Sequence, residues 1–135
     1  QEHSLEVHLP FLQEVLSEFK LVPLLVGDAE PQEVGAVLEA LWGGPETLIV
    51  ISSDLSHYQC YQAARLLDSA TSQAIEALRF EDIGYELACG CNPVSGLLWV
   101  ARRKSLHGET IDLCNSGDTA GPRDQVVGYG AYVFH

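Results

Sequence analysis

Asp54 and His57 stand three residues apart in the segment Ile51-Ser52-Ser53-Asp54-Leu55-Ser56-His57-Tyr58. A carboxylate beside an imidazole can fix the ring's tautomer and raise its basicity, as a general base requires. The segment follows the apolar run Thr47-Leu48-Ile49-Val50, which reads as a buried strand. In α/β proteins the open cleft lies beyond the carboxyl ends of the strands, so a polar cluster at a strand end is where chemistry is expected. The same spacing also suits an aspartate that caps the next turn beside a surface histidine. Local sequence marks the pair and leaves its use open.

A second cluster, Ala88-Cys89-Gly90-Cys91-Asn92-Pro93, precedes a predicted helix with Asn92 as N-cap and Pro93 at its first position. Backbone N–H groups and the helix dipole favour anions there, and a thiolate is a soft ligand suited to copper(I), iron or zinc. Gly90 lets the backbone turn sharply or approach a ligand. The alternative is a small-residue helix entry with two buried, inert thiols. The C-x-C spacing is not the C-x-x-C of zinc knuckles or redox sites, and no second paired motif exists. Cys60 and Cys114 read as semi-buried thiols. His3 and His8 are five apart, which misses the i, i+4 spacing of two ligands on one helical face, so each reads as a structural hydrogen bonder. His107, past a helix end, reads as solvated.

The elements that must position these residues alternate between helix and strand. Leu5, Leu9, Leu12, Leu16 and Phe19 recur at helical spacing, with Ser4 as N-cap and Pro10 at a kink or a new first turn. Residues 21–26 and 47–53 read as strands, and Pro23 confines the first to a strand start, an edge or a bulge. Helices are predicted from Pro31 to about Trp42, from about Tyr61 to Arg79, and through about Lys104. In the second of these, Ala64, Leu67, Thr71, Ile75 and Leu78 share a face. Ile111 to Cys114 is a strand, residues 115–122 a polar loop, and Val126 to Phe134 a final strand whose Gly128, Gly130 and Ala131 allow close packing. This alternation predicts an α/β domain with a mostly parallel or mixed sheet flanked by helices. About four strands is few for such a sheet, so the sheet is expected to be incomplete in this chain.

Composition narrows the function classes. The 135 residues suit one domain, and 47% hydrophobic content suits a chain that buries a core. The formal charge of −12, from 19 acidic against 7 basic residues, argues against nucleic acid and anionic membrane surfaces as partners. The small basic group Arg102-Arg103-Lys104 falls in a last helical turn, where it complements the dipole. No apolar run reaches the roughly 18 residues of a membrane span. Absent export features and unpatterned cysteines point to the cytoplasm. The chain has no methionine and opens on Gln1-Glu2-His3-Ser4, which reads as processed or truncated, part of a larger protein.

Four segments together resemble one family. Glu2-His3-Ser4-Leu5-Glu6-Val7-His8-Leu9-Pro10-Phe11-Leu12 is similar to its EHSxExxLPFL segment. Residues 51–58 are similar to its SSDxSHY segment, and residues 88–93 to its xCGxxP segment. Asn115-Ser116-Gly117-Asp118-Thr119 with Val127-Gly128-Tyr129 resembles its NSGDT…VGY ending. The family is Memo, known in prokaryotes as AmmeMemoRadiSam system protein B. The resemblance covers essentially the whole chain. It implies a fold similar to class III extradiol dioxygenases, which are non-haem iron enzymes, with a metal site of two histidines and one cysteine. Cys89 matches the cysteine ligand, His57 the base-like histidine, and Asp54 the aspartate beside it. Cys91 falls at a variable position and is not assigned as a ligand.

The family's two ligand histidines belong to PHAGY- and SHH-like motifs of its N-terminal half, and neither motif occurs here. Residues 1–135 are therefore expected to be the C-terminal part of a single Memo-like α/β domain, with two histidine ligands upstream. The resemblance implies a copper- or iron-binding, dioxygenase-related oxidoreductase in which a thiolate replaces a carboxylate ligand, shifting preference toward copper. The alternative it permits is a non-enzymatic peptide- or protein-binding module that reuses a vestigial cleft. Animal Memo proteins are associated with phosphotyrosine-containing receptor tails, but such a pocket needs converging Arg or Lys, which this acidic chain offers sparingly. The family also carries a functional link to a radical-SAM protein. The small-molecule or peptide ligand is not specified by any residue.

Overall fold

The computed structural model describes residues 3–135; Gln1 and Glu2, which open the EHS segment, lie outside them. Helix α1 (Leu9–Val15) places Pro10 in its first turn, where a missing N–H is harmless. The helix expected over Leu5 to Phe19 thus loses its first turn, because Pro10 cannot donate to a preceding turn, and it ends early where Leu16 turns extended. Helix α2 (Pro31–Leu41) starts on Pro31, and the Glu33 carboxyl accepts the Glu30 N–H at 3.0 Å. Helix α3 (Tyr61–Glu76) buries Ala64, Thr71 and Ile75, as their spacing predicts. Helix α4 (Cys91–Arg103) ends on Arg102 and Arg103, which meet Glu81 at 2.6 Å and Glu39 at 3.2 Å. Their positions in the last turn also complement the dipole.

Helix α4 joins two apolar clusters. Leu98 is fully buried with Leu55, Ile75, Ile83 and Ala88, and Tyr132 and Phe134 pack against this group. Val100, with Val34 and Leu38 of α2, forms the other. The α2–α4 crossing is tight because Gly35 and Gly96 lie at the contact, each facing a bulky side chain of the other helix.

The sheet has three strands, β1 (His57–Gln59), β2 (Gly108–Asn115) and β3 (Val126–Phe134), in the order β1-β3-β2. Both pairings are antiparallel, which corrects the expected mostly parallel or mixed arrangement. The reason is the connection: β2 reaches β3 through a short polar loop with no crossover helix, and a parallel pair would need one. Strand β1, whose residues read as a polar turn, is a further difference. It pairs His57 with Val127 and Gln59 with Val126 around a bulge, where Tyr58 adopts φ 58°.

Residues 21–26 and 47–53, both predicted as strands, join no ladder among the described residues. Val26 and Ile49 nonetheless pack on the α2–α4 cluster, while Leu25 is 75% and Leu48 68% exposed. Each run therefore has one face on the helices and one face open. Periodicity identifies such apolar runs, but a ladder also needs a neighbouring strand.

Candidate functional site

Two loops build the site. One is Ser52 to His57, leading into β1; the other is Ala88 to Gly90, entering α4. Their backbones interlock. Cys89 N–H donates to the Asp54 carbonyl at 3.3 Å, Asp54 N–H donates to Cys89 Sγ at 3.2 Å, and Gly90 N–H donates to Ser53 Oγ at 2.9 Å. Ser53 Oγ in turn donates to the Asp54 carbonyl at 2.7 Å. Gly90 sits in this seam, where an added Cβ would lie 2.7 Å from the Ser52 carbonyl oxygen.

The seam gathers Asp54, His57 and Cys89, whose donor atoms all lie within 4.8 Å of one another. His57 Nε2 is 3.5 Å from Asp54 Oδ2, longer than a hydrogen bond and within a small side-chain rotation of one. The two side chains are 31% and 48% exposed, so this pair adds little to stability. One thiol, one imidazole and one carboxyl form a donor set that suits a soft or borderline metal such as copper, iron or zinc. Ligand atoms around a tetrahedral ion stand roughly 3.3–3.6 Å apart, so closing on an ion needs only about an ångström of side-chain movement.

His8 Nε2 lies 2.8 Å from Ser52 Oγ, and that hydroxyl donates to the Ser4 carbonyl at 3.1 Å, tying the N-terminal segment to the site loop. His3 pairs with Glu6. Both histidines are thus hydrogen bonders, as their spacing suggests. His107 is exposed, and its backbone exchanges two hydrogen bonds with His135. Cys60 is exposed and Cys114 half-buried. Asn92 is not the N-cap: Gly90 takes that position, and Asn92 Nδ2 donates to the Gly27 carbonyl at 2.8 Å and to Tyr85 Oη at 3.0 Å. The cap moves because the Gly90 carbonyl already accepts the Val94 N–H.

The neighbouring thiols differ sharply. Cys91 is buried, and burial pushes its thiol above the ordinary range, whereas Cys89 is exposed. A thiol-directed reagent near neutral pH is therefore expected to label Cys89 at least tenfold faster than Cys91, since the thiolate is the reacting form. Tandem mass spectrometry of the peptide holding both residues checks this. Equal rates would mean that the helix entry does not bury Cys91.

Two features escape a reading of the chain alone. Asp68 is the one carboxyl-bearing side chain buried among the described residues. Its signal is a lone acid on the apolar face of α3, between Ala64 and Thr71. The NSGDT loop forms its own knot: Asn115 Oδ1 accepts the Gly117 N–H at 2.9 Å, and Asp118 Oδ2 accepts the Asn115 N–H at 2.9 Å. The Tyr61 hydroxyl, and after it the Asn115 N–H, hold the Asp118 carboxyl below its usual range. Arg123 stacks 4.5 Å from the Tyr61 ring centroid.

Helices packed on a small sheet, with thiol, imidazole and carboxyl converging where two loops cross, define an α/β protein with a candidate metal centre. The chain belongs to the Memo family: the family model described as "Memo-like protein" matches residues 1–133. A MEMO1 family protein of Aquifex aeolicus is 38% identical over 98% of this chain and 54% of its own length. Relatives bearing the same description in Methanosarcina mazei and Archaeoglobus fulgidus are 36% and 33% identical, again over 98% of this chain. The chain spans about half the length of these relatives, 54% and 55% respectively. No helix among the described residues is long and apolar enough to cross a membrane.

Proposed function

We propose that this chain supplies part of the metal site of a dioxygenase-related oxidoreductase that binds copper or non-haem iron. The observation that carries the reading is the convergence of Asp54, His57 and Cys89 within 4.8 Å. In this reading residues 1–135 are the C-terminal part of a single class III extradiol dioxygenase-like domain. The two histidine ligands lie upstream, in the length that the relatives have and this chain does not span. The open apolar faces at 21–26 and 47–53 support it, since further strands would cover them.

Cys89 is the metal ligand, held by the Asp54 N–H so that its sulfur faces the cluster. His57 takes or returns a proton, and Asp54, on the Nε2 side of the ring, orients it and stabilises its protonated form. When bound, the metal would supply Lewis acidity and a redox couple. A thiolate ligand favours copper and leaves the site open to oxidation. The same reading takes the cytoplasm as the compartment and a radical-SAM protein as a functional neighbour, with a small molecule or peptide as ligand.

The second reading is a peptide- or protein-binding module, favoured by the same open apolar faces. Its phosphopeptide form ranks lower because Arg79, Arg102 and Arg103 already pair with Asp82, Glu81 and Glu39. An anaerobic Cu(I) and Fe(II) titration separates the two readings. It is run on the chain joined to the segment expected upstream, beside its Cys89→Ala form. The metal reading predicts stoichiometric binding that weakens roughly 100-fold or more without Cys89. No binding in either protein would sink it.

A further inference from the structure

Each of the three peptide units between Asp54 and His57 is held by a hydrogen bond. Leu55 N–H donates to the Gly128 carbonyl at 2.9 Å, and Gly128 N–H donates to the Ser56 carbonyl at 2.8 Å. The third bond comes from a side chain: Ser56 N–H donates to Asp68 Oδ1 at 3.0 Å, fully out of solvent. Asp68 is only 2% exposed. Burying a carboxyl group is costly unless its oxygens accept hydrogen bonds, so its place on the apolar face of α3 calls for a structural return. The Ser56 hydroxyl is not that return, since it is buried without a partner. The carboxyl addresses the backbone.

Gly128 makes this contact fit. A Cβ added there would stand 2.1 Å from Asp68 Oδ2, and Oδ1 is already committed to Ser56, so the carboxyl cannot swing aside. Strand β3 therefore carries a glycine where it crosses α3, and it binds the Leu55–Ser56 backbone at that same residue. Asp68 and Gly128 together clamp the turn that carries Asp54 at one end and His57 at the other.

We infer that Asp68 is a positioning residue for the Asp54–His57 pair, acting through the Ser56 N–H, with Gly128 as the space that lets it reach. The functional meaning of this inference rests on the proposed roles of Asp54 and His57, but the clamp is testable without any metal. In metal-free protein, hydrogen exchange of the Ser56 amide and the ring ¹⁵N shifts of His57 are recorded for the wild type, Asp68→Ala and Asp68→Asn. Asp68→Ala is expected to speed Ser56 exchange roughly tenfold to hundredfold and to shift the His57 ring signals. The amides of Leu98 and Val100 should keep their protection, which separates a local release from unfolding. Asp68→Asn retains an acceptor oxygen and is expected to restore both signals, whereas Asp68→Leu, measured alongside, fills similar space without an acceptor and is expected to behave as Asp68→Ala does.

Two results overturn the inference. One is unchanged Ser56 exchange and His57 signals in folded Asp68→Ala. The other is an Asp68→Asn protein as disturbed as Asp68→Ala. Should Asp68→Ala fail to fold, Asp68→Asn and Asp68→Leu decide: wild-type signals in the first with altered ones in the second support the clamp, and like behaviour in both removes it. A Co(II) titration of the same variants in the chain joined to the segment expected upstream reads the metal site separately. If wild type binds no Co(II), the metal reading fails while the two metal-free signals still decide the clamp.

Discussion

Replacing Gly96 with alanine is expected to destabilise the protein by about 1–3 kcal/mol, although alanine is the better helix former. Intrinsic propensity alone favours alanine over a mid-helix glycine by about 1 kcal/mol, so an unhindered site would gain stability. Space reverses the sign. The new methyl would lie 2.3 Å from Val34 Cγ1 and 2.5 Å from Val34 Cβ, and Val34 is itself buried in the α2–α4 cluster. Opposite it, Gly35 faces the Trp99 ring at 2.4 Å from its ideal Cβ, so α2 has no direction in which to give locally. Gly96→Val, with two more methyls, should exceed the alanine cost and part the helices. Urea denaturation followed by circular dichroism measures both variants. A stability rise in Gly96→Ala would show that the helices do not cross this closely.

Gly90→Ala is expected to dismantle the candidate centre while leaving most of the core intact. Gly90 has φ −93°, which any residue can adopt, so the objection is to volume and not to backbone strain. The methyl would meet the Ser52 carbonyl oxygen at 2.7 Å and Ser53 Cβ at 2.8 Å, neither of which is the free end of a flexible side chain. The two loops must part, and with them go the bond from Gly90 to Ser53 and the one from Asp54 N–H to the Cys89 sulfur. Parting the loops carries the thiol away from the Asp54–His57 pair. Metal affinity in the joined protein should fall at least tenfold to a hundredfold, as for lost outer-shell support, with a stability loss of about 1–3 kcal/mol. Wild-type affinity in Gly90→Ala would mean that the crossing of these loops does not set the site.

Helices α2, α3 and α4 were legible from residue order because their cues are local. Pro31 and Gly43-Gly44-Pro45 punctuate α2, the Ala64–Thr71–Ile75 spacing defines the buried face of α3, and Arg102 and Arg103 mark the end of α4. Asp54 and His57 were nameable from residue type and neighbours, and Cys89, rather than Cys91, from the family resemblance. The strand status of 21–26 and 47–53 was not, because an apolar run becomes a strand only beside a partner. The N-cap at Gly90 also escaped, since Asn92 is the better capping residue and its amide is drawn to Gly27 and Tyr85 instead.

The chemistry available to this chain follows from its short motifs: a thiol, an imidazole and a carboxyl in segments rich in small residues. Their meeting does not. Cys89 and Asp54 are 35 positions apart, and they touch because two loops cross over a glycine. Asp68 reaches the same turn from α3 because β3 offers it a residue without a side chain. Periodicity and capping report interactions within a turn or two of helix or one strand. Burial of a carboxyl, antiparallel pairing and the convergence of donors depend on which surfaces the packed chain brings face to face.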